Sequence, residues 1–372
     1  MATPACKHFG TCGGCISQDI DYPEQLKRKE ATLLSLFPLL PSLPSRAITG
    51  LLPSPEIYFY RNRMDFAFGP KYTVGLKDAK SNIINIEKCW LMSEKTTAIL
   101  NRLRYFMSFK KLEAHKTGIL RHAVFREAKN NNNCILNILT SDKGVFPLEE
   151  FWEKTKDLVS GVTWSINTSP ADRSYGEIQK SFGQDFLWET LNGIKFKIPV
   201  QSFFQTNTHQ AENLLKVVKD FAELTGEETV LDLYSGTGSI GLYLADKAKA
   251  VIGIEENAPA AQLSIENAKL NNITNYSALS GKVEDLLSDI VTKSPSLVIV
   301  DPPRPGVHKK VIAKIGRTRP AKVIYVSCNP QSQKHDVDKL KEWGYQIERC
   351  QPLDMFPHTP HIENVLLLKL AN

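Results

Sequence analysis

The chain has 372 residues, 42% of them hydrophobic, which is enough apolar material for two or three cored domains and excludes disorder as the default state. Lysine and arginine total 46 against 40 acidic residues, a net charge of +6 with a pI near 8.8, so the surface favours polyanions without carrying a dedicated basic tail. No run approaches the roughly 18 apolar residues of a membrane span and MATPACKHFG has no apolar signal core, so a cytoplasmic, reducing setting is expected. There the seven cysteines are expected to be free, ligating or catalytic rather than disulfide-bonded.

In chain order, Cys6, Cys12 and Cys15 cluster before an amphipathic helical stretch, Tyr22 to Phe37, that can pack on the second half of the chain. From Tyr58 to Ile198, short alternating runs such as MDFAF, YTVGL, HAVFRE and CILNIL predict a mainly antiparallel sheet. Beyond Pro199 the texture changes. His209 to Leu224 reads as helix, and apolar strands (TVLDLYS, VIGIEEN, SLVIVD, KVIYVSC) then alternate with helical segments, which predicts a parallel sheet with helices on both faces. YQIERCQPLD and ENVLLLKL lie too close together for a crossover helix and predict an antiparallel pair at the sheet edge. The expected fold is α/β, with a Rossmann-like domain over 199–372 behind a mainly antiparallel β domain over 1–198.

LDLYSGTGSIG places Gly236, Gly238 and Gly241 in a G-x-G-x-x-G loop between strand and helix, with Glu255 19 residues past Gly236. Such a loop lets backbone approach a nucleotide-like ligand, and Glu255 can accept from ribose hydroxyls. The motif serves dinucleotides and S-adenosylmethionine alike. Asp232, just before the loop, favours the latter, because a carboxylate suits the cationic amino group of a methionine and would repel a pyrophosphate. Tyr234 belongs to the same loop, and Asp285, after the next strand, can accept from an adenine amino group.

DPPRPG (Asp301 to Gly306) follows a buried strand, so it lies at the carboxyl edge where parallel sheets bind ligands. Asp301 can hold the polar edge of a planar ring. Enzymes that methylate exocyclic amines place an aromatic residue after D-P-P, whereas here Arg304 stands there. A different attack is supplied by Cys328, at the end of the next strand. A pyrimidine C5 becomes nucleophilic only after C6 has been attacked, and a thiolate does this well. The C5 proton must then leave to a base, for which DMFPHTPHIENV offers Glu363, with His361 orienting the loop. The metal-ligand alternative, His358 with His361 and Glu363, is interrupted by Pro360.

QSFFQTN (Gln201 to Asn207), DLYSGTGSIGL, DPPRPG, SCNP and DMFPHTPHIE, in this order, resemble the S-adenosylmethionine-dependent RNA uracil-5-methyltransferases, and the likeness covers nearly the whole chain. It implies a class I methyltransferase domain, Cys328 as nucleophile, Glu363 as proton abstractor, Asp301 as a contact to the uracil edge, Gln205 and Glu255 as cofactor contacts, and Phe203 or Phe204 stacking near a flipped base. Asp301 and the following prolines stand where cytosine-5 enzymes carry a second cysteine.

Cys6, Cys12, Cys15 and Cys89, separated by five, two and seventy-three residues, suit zinc or a [4Fe-4S] cluster by their own spacing. The resemblance implies the cluster, and with it the 23S ribosomal RNA branch in a short form lacking an N-terminal barrel. Transfer RNA is the alternative substrate, and a noncatalytic RNA-binding or ribosome-assembly protein is a further one. The RNA is expected to present a loop uridine that flips into the pocket. Arg61, Arg63, Arg121 and Arg126 stand beside aromatics on strand-like segments and are the candidate phosphate and base contacts. No obligate protein partner is expected, and the chain is expected to act as a monomer.

Overall fold

The computed structural model describes residues 2–38, 50–112, 114, 119–142, 144–290 and 295–371. After α1 (Tyr22–Leu36) come β1 (Arg63–Phe68), β2 (Val74–Lys77), β3 (Ile83–Asn85), α2 (Glu94–Lys110), β4 (Leu120–Glu127), β5 (Cys134–Thr140), α3 (Leu148–Thr155), β6 (Gly161–Ile166) and β7 (Glu177–Gly183). These strands form one sheet in the order β3-β2-β1-β4-β5-β6-β7. Its pairs are antiparallel except β5 with β6, which run parallel because α3 carries the chain back between them.

The alternating runs predict this ladder but neither helix. α2 starts where Ser93 accepts a hydrogen bond from the Thr96 N–H, and it stops where Lys111 turns left-handed at φ 53°. Between them Ile99, Leu100, Leu103, Phe106 and Met107 form one buried stripe against the sheet.

A hairpin of β8 (Phe186–Leu191) and β9 (Ile194–Pro199) leads into the second half, where its Leu191, Phe196 and Ile198 join the core. There follow α4 (Thr208–Ala222), β10 (Thr229–Leu233), α5 (Ser239–Leu244), β11 (Ala250–Glu255), α6 (Ala258–Leu270), β12 (Tyr276–Ser280) and α7 (Val283–Ile290). The chain ends with β13 (Leu297–Val300), α8 (Lys309–Thr318), β14 (Lys322–Ser327), α9 (Pro330–Glu342), β15 (Tyr345–Leu353) and β16 (Glu363–Leu370). The sheet order is β12-β11-β10-β13-β14-β16-β15, five parallel strands finished by antiparallel β16 and β15.

Both faces of this sheet are covered. Leu297, Ile299, Ile324 and Val326 pack with α4, α5 and α6, while Val298, Val300, Val323 and Tyr325 pack with α7, α8 and α9. Burial on two sides is why these strands read as unbroken apolar runs. Leu33 of α1 and Phe37 just beyond it join the second cluster, so the first helix packs behind the second sheet. Among the described residues, no helix is long and apolar enough to cross a membrane.

Candidate active site

The loops at the carboxyl ends of β10, β11, β13 and β14 converge with the start of β16, and the predicted chemistry collects there. On the cofactor side, Tyr234, Gly236 and Gly238 all adopt positive φ (63°, 54° and 84°), a bend that glycine enters freely and tyrosine does not. Tyr234 packs its ring into the rear cluster and turns its hydroxyl to the His308 N–H, away from the glycines. Glu255 is fixed at the tip of β11, accepting from the Gly236 N–H at 2.9 Å and the Asn257 N–H at 2.7 Å.

Asp232 is 1% exposed and accepts from the Gly241 N–H at 3.0 Å; its Oδ1 has no partner among the described residues. Burial pushes its carboxyl up to about 7, with Asp301 and Glu255 adding to the rise. A Cβ on Gly241 would lie 2.9 Å from Asp232 Oδ2, so only glycine allows this approach. Gln205 Nε2 lies 3.5 Å from Asp301 Oδ2. Its segment is tied to the first sheet, because Asn62 donates to the Gln205 carbonyl at 2.7 Å and takes the Thr206 carbonyl on its own N–H at 2.8 Å. Asp285 is exposed in the first turn of α7.

On the catalytic side, β14 and β16 pair through Ser327 opposite Asn364, and Glu363 pairs on its other side with Leu353 of β15. Continuing the register by one residue sets Cys328 opposite Glu363. Cys328 is half-buried, two residues before α9, whose first turn Asn329 caps. Asn329 and Ser332 also bind the Arg304 carbonyl, at 3.0 and 3.1 Å, which draws the DPPRPG loop over the cysteine.

Burial raises the Cys328 thiol above its ordinary value, the Glu363 and Asp301 carboxyls raise it further, and Arg304 opposes them by charge and a hydrogen bond. Glu363 is 2% exposed, and burial, with Asp301 beside it, holds its carboxyl well above the usual range against the pull of Arg304. Burial pushes Asp301 up to about 7. Arg304 is thus the cation that acts on both Cys328 and Glu363. The sequence marks Arg304 as a departure without showing this role. His361 Nε2 lies 3.3 Å from Arg304 Nη2, and burial and that cation lower its pKa, so a neutral imidazole accepts from the guanidinium.

The remaining candidates divide. Phe203 is 66% exposed, whereas Phe204 is 3% exposed and packs against Phe196 in the core, so only the former is free to stack on a base. Arg61, half-buried, exerts its charge on both His361 and Cys15. Arg63 pairs with Asp65 through two hydrogen bonds, and Arg121 spends its guanidinium on the carbonyls of Asn167, Ser169 and Ala171. Arg126 is no surface group. It is 1% exposed and bound to the Ser202 carbonyl, with burial pushing it down to about 9. Nor does His358 face the site; its Nδ1 meets Gln25 at 3.1 Å.

The N-terminal cysteines come near one another: Cys6 and Cys12 act electrostatically on Cys15, and Cys15 and Cys12 on Cys89. All are free thiols. N–H groups point at three of the sulfurs, from Gly14 to Cys12 (3.3 Å), from Gln18 to Cys15 (3.1 Å), and from Leu91 and Met92 to Cys89. Among the described residues, no three Cys, His, Asp or Glu side chains close on one point as ligands of a single ion.

Comparison with known proteins agrees with this geometry. A family profile described as tRNA (Uracil-5-)-methyltransferase matches residues 147–371. The chain is 36% identical over 367 residues to the tRNA (uracil(54)-C(5))-methyltransferase of Pyrococcus furiosus, covering 97% of this chain and 84% of that one. It is 37% identical over 385 residues to an uncharacterized RNA methyltransferase of Clostridium acetobutylicum, covering 99% and 84%. The crystal structure of Pyrococcus abyssi tRNA (uracil-54, C5)-methyltransferase with S-adenosyl-L-homocysteine superposes with a TM-score of 0.82 at 32% identity, covering 96% of this chain and 86% of that one. The fold is therefore an α/β methyltransferase fold, and the chain belongs to the RNA uracil-5-methyltransferase family.

Proposed function

We propose that the protein methylates C5 of a flipped uridine in RNA, with transfer RNA as the favoured substrate, through a bond between Cys328 and C6 of the base. The observation that carries this reading is the meeting of Cys328, Arg304 and Glu363 at one strand end, across from the glycine loop. S-adenosylmethionine, when bound, supplies an electrophilic methyl group. The groups present fit it: an unpartnered, buried Asp232 oxygen suits an ammonium, Glu255 suits ribose hydroxyls, and glycines leave room for backbone approach.

The Cys328 thiolate adds to C6, and the electrons of the C5–C6 double bond move toward C5 and O4. Arg304 favours the thiolate, and Asp301 with Gln205 presents polar groups to the uracil edge. Once C5 carries the methyl group, Glu363 takes the C5 proton, the double bond re-forms, and the thiolate leaves. A carboxyl held well above its usual range is the stronger base for this step.

The ribosomal reading rests on the cysteines and on motif wording. Relatives from three Pyrococcus species named tRNA (uracil(54)-C(5))-methyltransferase, at 33–36% identity over 97–98% of this chain, favour transfer RNA. Incubating the purified protein with methyl-labelled cofactor and either unmodified transfer RNA or 23S transcripts distinguishes them. Label at C5 of a transfer RNA loop uridine supports the proposal; label confined to 23S RNA reverses the substrate, and label on neither sinks it.

A [4Fe-4S] cluster on Cys6, Cys12, Cys15 and Cys89 completes the proposal. Burial pushes the Cys15 thiol up to about 11 and Cys89 up to about 12, so these sulfurs ionise only with a cationic partner, and N–H donors stand ready for the resulting thiolates. The mutual electrostatic action of Cys6, Cys12, Cys15 and Cys89 supports a shared site for the four sulfurs. Iron and sulfide content after anaerobic purification, lost on Cys89→Ser, is the test.

A further inference from the structure

The loop from Asp354 to Ile362, which delivers Glu363, is held from its own half by Asn207 on the Met355 carbonyl and Arg304 at His361, and from the first half by a larger set of contacts. Asp354, with no exposed surface, takes Lys29 Nζ at 2.6 Å on one oxygen and the Tyr22 hydroxyl at 2.9 Å on the other. Lys29 also donates to the Phe356 carbonyl at 3.0 Å, and Tyr60 donates to the Pro357 carbonyl at 3.1 Å.

His358 is bound through both its backbone and its side chain. Gln25 Oε1 accepts its N–H at 3.0 Å, Gln25 Nε2 meets its Nδ1 at 3.1 Å, and the Ile16 N–H donates to its carbonyl at 2.9 Å. The Tyr58 ring stacks on its imidazole with centroids 4.6 Å apart. Its φ of 64° is a strained conformation for histidine, so the loop keeps this bend only because its partners impose it. The Glu363 carboxyl, by contrast, accepts no hydrogen bond from the described residues. Its position comes from its place as the first residue of β16, paired with Leu353, and from the loop that these contacts hold just before it.

We infer that Gln25 and His358, with the Lys29–Asp354 pair behind them, position Glu363 for proton abstraction, so that α1 governs how fast the covalent adduct is resolved far more than how fast it forms. The inference rests on the reaction proposed above. Cys328 just after β14 and Arg304 after β13 are carried by other elements, and among the described residues the loop reaches them only through the His361–Arg304 contact, so addition to C6 is affected far less. A carboxylate displaced by about an ångström loses about 100-fold in rate.

The test is a single-turnover experiment with full-length protein, S-adenosylmethionine and substrate RNA, quenched under denaturing conditions and scored for protein–RNA adduct and for 5-methyluridine. In His358→Leu and Gln25→Met, adduct should form within about 3-fold of the wild-type rate while its resolution slows about 10- to 100-fold, so adduct accumulates. His358→Asn should restore most of the resolution rate, since its Oδ1 can replace Nδ1 and asparagine tolerates a left-handed backbone. A general folding defect would slow both steps together, and that result overturns the inference. Unchanged resolution in Gln25→Met and His358→Leu overturns it as well. If the wild-type protein methylates RNA with no adduct at Cys328 at even the earliest quench times, the underlying reaction is wrong, a failure visible before any positioning variant is made.

Discussion

Cys328 follows the last residue of β14 and Glu363 opens β16, each one residue beyond the pair Ser327–Asn364. Glu363 is close enough to raise the Cys328 thiol, so the proposed nucleophile and the proposed base lie within electrostatic reach of each other. Each therefore alters the other's ionisation, and the direction is testable. Removing the Glu363 charge lowers the thiol pKa, so Glu363→Gln should form adduct with its ascending pH limb moved to lower pH. Removing Arg304 raises the thiol pKa, so Arg304→Gln should move that limb upward, and on the limb addition slows about tenfold for every pH unit the limb moves. Rates of adduct formation from about pH 6.5 to about pH 9.5, spanning the ordinary thiol range, check both; limbs that coincide would contradict the electrostatic account.

Asp232 leads to a second pH dependence. Its carboxyl is held up to about 7, so below that value it is protonated and offers nothing to the ammonium of S-adenosylhomocysteine. Affinity should rise with pH by about tenfold per pH unit below that point and level off above it. In Asp232→Asn the affinity should be low and flat. Isothermal titration at about pH 6 and about pH 8, either side of that value, compares them, and equal wild-type affinities at both would remove Asp232 from cofactor binding.

The Lys29–Asp354 pair bears on stability. Its side chains are 5% and 0% exposed, so Lys29→Met leaves a buried carboxylate uncompensated and should destabilise the fold by about 3–5 kcal/mol. Replacing both partners, Lys29→Met with Asp354→Leu, should recover much of that loss. Denaturant unfolding reads the difference, and a double variant no more stable than the single one would argue against pairing as the cause.

Much of this is legible in the sequence, because the second half announces itself in local patterns. Buried parallel strands such as Leu297–Val300 have no polar face, and the loop at their ends must carry the chemistry, which locates Cys328, Asp301 and Asp232. The first half is harder to read. α2 and α3 interrupt the alternating runs without a compositional break. Phe203 and Phe204 are identical neighbours whose fates diverge only through packing. Arg63, Arg121 and Arg126 look like RNA contacts, yet an arginine on a strand can equally clamp carbonyls or carboxylates, and only tertiary partners decide. Gln25 and Lys29 escape a reading of the motifs although their spacing holds a signal, since they continue the buried stripe of Leu33 at four-residue intervals. Polar side chains on such a stripe need buried partners, which here lie more than three hundred residues away.

The most direct test is to incubate wild-type, Cys328→Ala and Glu363→Gln proteins with cofactor and transfer RNA, denature, and weigh the products by mass spectrometry. The account predicts 5-methyluridine without lasting adduct for wild type and neither product nor adduct for Cys328→Ala. Glu363→Gln should give a persistent adduct at Cys328 bearing an already methylated base. Methylated RNA from Cys328→Ala, or free unmodified RNA from Glu363→Gln with no adduct, would contradict it.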